Sequence, residues 1–191
     1  MKLEGILPFA RILLRSAISP GDVCVDATMG NGHDTCMLAE TVGEDGTVYA
    51  FDIQAQALEQ TRKRLDETGI ANRVVLIHDS HSNLINHIPK PTHGKITGAI
   101  FNLGYLPGGD KEIVTKPTST IDAITQLLSI MAPEGIIVLV IYHGHPEGKT
   151  ERDHILSFVQ ELDQKKTHVL RYEFINQQND PPFIIAIEKR K

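Results

Sequence analysis

A short apolar run that ends in a carboxylate and turns at once through two glycines constrains this chain more than any other feature: Val23-Cys24-Val25-Asp26-Ala27-Thr28-Met29-Gly30-Asn31-Gly32-His33. A second short apolar run ends in Asp52, 22 residues after Gly30. A brief strand, a turn that needs glycine's conformational freedom and a helix start beyond it describe the first strand–turn–helix unit of an α/β sheet. In such sheets ligands sit beyond the carboxyl ends of the strands, so both features fall where a nucleotide-type ligand would bind.

The rest of the chain continues the alternation. Residues 3–17 have helical spacing, and Ser19-Pro20-Gly21 ends that element. The pattern predicts a helix over 33–42, a strand over 47–52, a helix over 54–67 and a strand over 73–78. A weakly periodic stretch follows at 83–88, then a strand over 98–102, a glycine- and proline-rich loop over 103–117 and a helix over 119–131. The most apolar strand, 135–142, reads as central and buried. A helix over 151–162 and two late strands, 168–175 and 183–188, complete the chain, the last pair spaced for an antiparallel addition. The expectation is a doubly wound, Rossmann-like α/β fold. It has a seven-stranded, mostly parallel sheet, an antiparallel C-terminal strand and helices on both faces. It forms a single domain over 1–191, with residues 1–20 as a helix packed on the sheet.

Composition narrows the partners. A net charge of −5 argues against a nonspecific nucleic-acid binder. Lys90, Lys95, Lys111, Lys116, Lys149 and Arg152 fall in or near loops, where they form either a local basic face or an ordinary solvated surface. Two cysteines, Cys24 and Cys36, are too few for a disulfide framework or a zinc site of their own. No apolar run approaches the ~20 residues of a membrane span, and Glu4 and Gly5 stand where a signal peptide would be apolar. A cytoplasmic location is expected.

The glycine turn discriminates between cofactors. A dinucleotide fingerprint would carry a third glycine where Thr35 stands, and a phosphate-binding loop would carry Gly-Lys-Ser/Thr. Asp26, ahead of the glycines, would repel a pyrophosphate but attract an ammonium and a sulfonium; S-adenosylmethionine carries both. Asp52 is then placed to bind ribose hydroxyls, and Asp79, with Ser80 beside it, to reach the adenine amine. Thr28, Gly30, Asn31, Gly32, His33, Asp34, Ile53, Gln54 and His81 complete the expected cofactor site. Asp26 as a turn residue and Asp79-Ser80 as a helix cap are the plainer alternatives.

Asn102-Leu103-Gly104-Tyr105-Leu106-Pro107 follows the fourth strand. An Asn side chain and a nearby carbonyl can accept hydrogen bonds from an amine and aim its lone pair at a methyl carbon. Tyr105 can stack on a base, with Pro107 beside it. His143-Gly144-His145 ends the fifth strand at the same cleft, where a neutral His could take a proton from an ammonium. Metal binding by this pair lacks further ligands, so no metal is expected. Asn102, Tyr105 and His143 are the candidate catalytic residues, and Tyr105, Pro107, His143 and His145 the candidate substrate contacts.

The segments 26–35, 78–81, 101–111 and 142–148 together resemble the YtqB-like rRNA methylase family of Gram-positive bacteria, which includes the MnmM-type tRNA wobble-uridine methyltransferases. The likeness covers essentially the whole chain. Asn102-Leu103-Gly104-Tyr105 stands where amino-directed methyltransferases carry Asn-Pro-Pro-Tyr. The resemblance implies a class I S-adenosylmethionine-dependent methyltransferase fold. It implies methyl transfer to the exocyclic amine of 5-aminomethyl-2-thiouridine at tRNA position 34, a tRNA anticodon stem-loop as partner, and a homodimer. It also implies that Asp26, Gly30, Gly32, Asp52, Asp79 and Asn102 line the cofactor site. An rRNA or small-molecule methyltransferase, a non-catalytic cofactor-binding protein and a nicotinamide-dependent oxidoreductase are the competing readings.

Overall fold

A computed structural model describes residues 2–106, 108 and 114–191. Helix α1 (Ile6–Ala17) precedes strand β1 (Val23–Asp26). Then come α2 (His33–Val42), β2 (Thr47–Asp52), α3 (Ala55–Thr68), β3 (Val74–His78), the single turn α4 (Leu84–His87), β4 (Ile96–Leu103), α5 (Pro117–Ile130), β5 (Met131–Ile141), α6 (Pro146–Gln160), β6 (Thr167–Tyr172) and β7 (Phe183–Lys189).

The seven strands form one sheet in the order β3-β2-β1-β4-β5-β7-β6, and only β7 runs against the others. Its position follows from its side chains. Residues 183–187, Phe-Ile-Ile-Ala-Ile, are all buried, so this strand needs cover on both faces and a neighbour on both edges. β6 exposes four of its six residues and takes the edge.

Alternation along the strands sends side chains to two cores. On one face Val25, Phe51, Phe101, Leu139 and Ile185 pack against Ile124 and Leu127 of α5 and Ile155 of α6. On the other, Cys24, Val48, Ile100, Val138 and Ile184 pack against Leu14 of α1, Leu38 and Val42 of α2, and Leu65 of α3.

Several boundaries differ from the sequence reading; β6, for one, ends at Tyr172 rather than 175. α6 begins at Pro146 rather than 151, because proline suits a first helical turn and its ring fixes the dihedral there. β5 begins at Met131 rather than 135, although its regular pairing with β4 starts only at Gly98↔Ile136, after an irregularity. α5 ends at Ile130, just before β5, so two elements read with a gap abut.

Candidate functional site

The glycine turn is held from both sides. Gly30 and Gly32 have φ of 49° and 78°, the left-handed region that glycine enters without strain. A Cβ on Gly32 would stand 2.8 Å from Thr61 Oγ1 of α3. The same hydroxyl donates to the Gly30 carbonyl at 3.0 Å, and Arg64 Nε donates to the Asn31 carbonyl at 2.9 Å. From the sheet side, Asp52 accepts Gly30 N–H on one carboxylate oxygen at 3.0 Å and Gln54 N–H on the other at 2.9 Å. Burial raises the Asp52 pKa and these backbone donors pull it back. Each oxygen keeps acceptor capacity for a ligand hydroxyl.

Asp26 does not do what its sequence position suggests. It is sealed from solvent and lies outside the cavity; its oxygens accept Thr35 Oγ1–H at 2.6 Å and Thr28 N–H at 3.2 Å. Register gives the reason. Asp26 pairs with Ala50 and Ile100, so Thr28 is the residue level with Asp52 and Asn102. The ladder continues past β1, with Ala27 N–H donating to Ile100 and Met29 N–H to Phe51. Asp26 therefore anchors the start of α2 instead of meeting a cofactor ammonium, and Thr35 fills the place of a third glycine. Gly32 likewise packs against α3 and does not line the cavity.

A cavity of about 870 Å³ opens over the carboxyl ends of β1 to β5. Of the expected cofactor residues, Thr28, Gly30, Asn31, His33, Asp34, Asp52, Ile53, Gln54, Asp79, Ser80, His81 and Asn102 line it. Ile53 is 54% exposed, a large apolar side chain at the rim that would cover a flat ring. Asp79 accepts from Ser80 N–H, Asn83 Nδ2–H and His87 Nε2, and these contacts hold its pKa low. His81 gives Nδ1–H to the Ala27 carbonyl at 3.0 Å, which leaves a buried Nε2 without a hydrogen-bond partner among the described residues; burial lowers its pKa.

Asn102 is fixed at two atoms. Its N–H donates to Thr28 Oγ1 at 2.7 Å, and its Nδ2 donates to Asp34 Oδ2 at 2.9 Å. A carboxylate accepts only, so this bond assigns the amide and makes Oδ1 its acceptor end. Arg11 of α1 donates Nε–H and Nη2–H to the other oxygen of Asp34 at 3.1 and 3.0 Å.

The far end of the cavity is aromatic. Tyr105, Tyr142, His143 and His145 line it, and the Tyr105 and His145 rings meet edge-on at 6.0 Å. His143 is buried, packs on the Phe183 ring, and burial lowers its pKa, so the neutral imidazole dominates near neutrality. Its Nε2 is 3.9 Å from Asp180, which pairs with Lys149 at 2.8 Å. Pro107 lies outside the described residues, as does Lys111. Lys149 and Arg152 are paired with Asp180 and Asp153, whereas Lys116 lines the cavity.

The long loop after β4 closes on itself. Gly104 and Thr115 exchange hydrogen bonds, and Tyr105 bridges to Val114. Beneath that stem Glu151 of α6, 2% exposed, accepts from Thr115 and Thr120. Burial raises its pKa. Arg11, Thr115 and Glu151 escape a motif reading, and Tyr142, although it opens the 142–148 segment, carries no site role there. Arg11 carries only a trace, as one of two arginines in a largely apolar helical stretch.

Comparison with known proteins gives one consistent answer. Residues 48–188 match the rRNA methylase family. The chloroplastic tRNA (mnm(5)s(2)U34)-methyltransferase of Arabidopsis thaliana is 33% identical over 94% of this chain and 68% of its own length. A Clostridium thermocellum protein solved under the rRNA-methylase designation superposes with a TM-score of 0.95 at 41% identity, over 99% of this chain and 100% of its own. SMU.1697c from Streptococcus mutans, crystallised with SAH, superposes with a TM-score of 0.88 at 37% identity, over 98% and 99%.

Proposed function

This chain belongs to the rRNA methylase family and is an S-adenosylmethionine-dependent methyltransferase; on that footing we propose that its acceptor is the exocyclic amine of 5-aminomethyl-2-thiouridine at tRNA wobble position 34, and its product 5-methylaminomethyl-2-thiouridine. The observation that carries this reading is the fixed polarity of Asn102. With one Nδ2–H given to Asp34, the orientation of the amide is set and Oδ1 is its acceptor end, which suits an amine N–H and does not suit a carbonyl or phosphate oxygen. The name of the Arabidopsis relative supports the same acceptor.

The residues around the cavity fit the cofactor. Asp52 keeps acceptor capacity for the ribose, the glycine turn lets the backbone approach, and Ile53 offers an apolar face for a base. When bound, S-adenosylmethionine supplies an activated methyl group on a sulfonium. Asn102 Oδ1 receives an N–H of the amine and points the nitrogen lone pair along the line of displacement. Tyr105, Tyr142 and His145 form an aromatic wall for the pyrimidine. His143, neutral and at the same end, is the group placed to take the proton an aminomethyl ammonium must lose before it can attack.

The same reading includes an anticodon stem-loop as the partner and a homodimer, both implied by the family resemblance, and a cytoplasmic location, which the low cysteine content suggests. No helix among the described residues is long and apolar enough to cross a membrane. The test is direct. Purified protein, S-adenosylmethionine and tRNA bearing 5-aminomethyl-2-thiouridine are incubated, and the digested nucleosides are weighed by mass spectrometry. Conversion to the methylaminomethyl nucleoside is expected. No conversion of that tRNA alongside methylation of ribosomal RNA would overturn the reading in favour of an rRNA substrate.

A further inference from the structure

The N-terminal helix brings into the site a charge that no sequence motif contains. Arg11 sits one residue from the buried Ala10 on a helix whose Leu14 is also fully buried, so its backbone rides on a rigid element. Its guanidinium grips Asp34 Oδ1 through Nε and Nη2, and Asp34 Oδ2 accepts the Asn102 carboxamide. Both Arg11 and Asp34 line the cavity.

We propose that Arg11 is a positioning residue for methyl transfer: acting through Asp34, it sets which end of the Asn102 carboxamide faces the substrate. The two ends of a carboxamide are nearly the same shape and opposite in polarity, so packing alone does not choose between them. A carboxylate at Nδ2 does choose, because it accepts and never donates. That choice holds only while Asp34 stays put. Its side chain is 11% exposed and belongs to the first turn of α2, where, among the described residues, Arg11 and Asn102 alone hydrogen-bond to the carboxylate. Two N–H donors of one planar guanidinium converge on Oδ1 and fix that oxygen in direction as well as distance, which a lysine ammonium does not do. The consequence is a division of labour. The glycine turn and Asp52 hold the methyl donor, while a helix from the start of the chain aligns the acceptor. The proposal rests on Asn102 being the residue that receives the amine.

The test combines a spectroscopic readout with a double-mutant cycle. The Asn102 side-chain NH2 pair is identified in a ¹H–¹⁵N spectrum by its loss in Asn102→Ala. In Arg11→Met, which keeps the unbranched stem and removes the fork, that pair should shift and exchange faster with solvent. kcat should fall by roughly 10-fold or more, while the dissociation constant for S-adenosylmethionine stays within about threefold of the wild-type value. In the Asn102→Ala background the Arg11→Met change should slow the reaction no further. An unmoved NH2 pair, or the same rate loss in both backgrounds, overturns the proposal. A wild-type protein inactive on aminomethyl tRNA, but with an NH2 pair that moves in Arg11→Met, overturns the substrate reading and leaves the Arg11–Asp34–Asn102 linkage standing. Should Arg11→Met not fold, Arg11→Lys, which keeps the charge as a point donor, carries the same measurements with an intermediate rate expected.

Discussion

Thr35 donates its hydroxyl to Asp26 at 2.6 Å in a region that neither residue shares with solvent. Burial pushes Asp26 up to about 7, against the pull of Thr35 and the Thr28 N–H. The native state therefore keeps a proton on Asp26 over a pH range in which the unfolded chain has lost it. This group's contribution to stability falls as pH rises from about 4 to about 7, and is constant above that. Asp26→Asn has no such slope. The stability of the wild type relative to this variant should drop by up to roughly 4 kcal/mol across the window. Denaturant titrations at about pH 4.5 and about pH 7.5 measure it; an unchanged difference would show that Asp26 is ionised throughout.

Two glycines with positive φ separate conformational strain from steric strain. Gly32 meets Thr61 Oγ1 at 2.8 Å from an added Cβ, and Gly21, with φ of 91°, meets nothing within 4 Å. Gly21→Ala should cost about 1 kcal/mol, and Gly32→Ala roughly 2–4 kcal/mol, because a clash adds to the backbone term. Gly32→Ala should also weaken S-adenosylmethionine binding, since Thr61 holds the Gly30 carbonyl. Chemical denaturation and calorimetry of both variants check the ordering.

Asp52 and Asn102 should separate binding from chemistry. Asp52→Ala removes the acceptor of the Gly30 and Gln54 N–H groups as well as the proposed ribose contact, so cofactor affinity should fall by about 100-fold or more. Asn102→Ala should leave that affinity within about threefold and lower the methylation rate by roughly 100-fold. Isothermal calorimetry paired with single-turnover kinetics reads both. Equal affinities for Asp52→Ala and wild type would remove Asp52 from the cofactor site.

Glu151 accepts from Thr115 and Thr120 while almost completely buried. Glu151→Ala strands two hydroxyls under the stem of the loop that carries Tyr105, and should cost about 1–3 kcal/mol and raise KM for RNA. Glu151→Gln keeps an acceptor and should cost less. Because burial raises the Glu151 pKa, the ionised form is disfavoured in the fold, and this group's contribution to stability falls as pH rises through that raised value. Thermal melts of the three proteins across pH test it.

The site was readable where function is carried by backbone shape at strand ends. β1 and β2 have the expected bounds, Val23–Asp26 and Thr47–Asp52, because short apolar runs stopped by a carboxylate and a glycine turn leave little freedom in where a strand ends. Asp52, Asp79 and Asn102, each at or beside the carboxyl end of its strand, all reach the cavity. The places of Arg11 and Tyr142 in the cavity were not readable. One comes from a helix at the far end of the chain, and the other looks like the end of an apolar strand until the sheet sets it beside Gly104, whose Cβ position lies 3.5 Å from Tyr142 Cβ.

What the sequence determined by itself is local: hydrophobic periodicity chose strands and helices, and glycine chose the turn. What only the tertiary structure decided is register and partnership. Asp26 looked like the residue facing the cofactor because it ends its strand, yet its pairing with Ala50 and Ile100 sets it two residues short of the row formed by Thr28, Asp52 and Asn102. Register is a relation between strands separated by tens of residues, fixed by packing on both faces of the sheet at once. The same packing delivers Arg11 to Asp34, and so decides which atom of Asn102 is offered to the substrate.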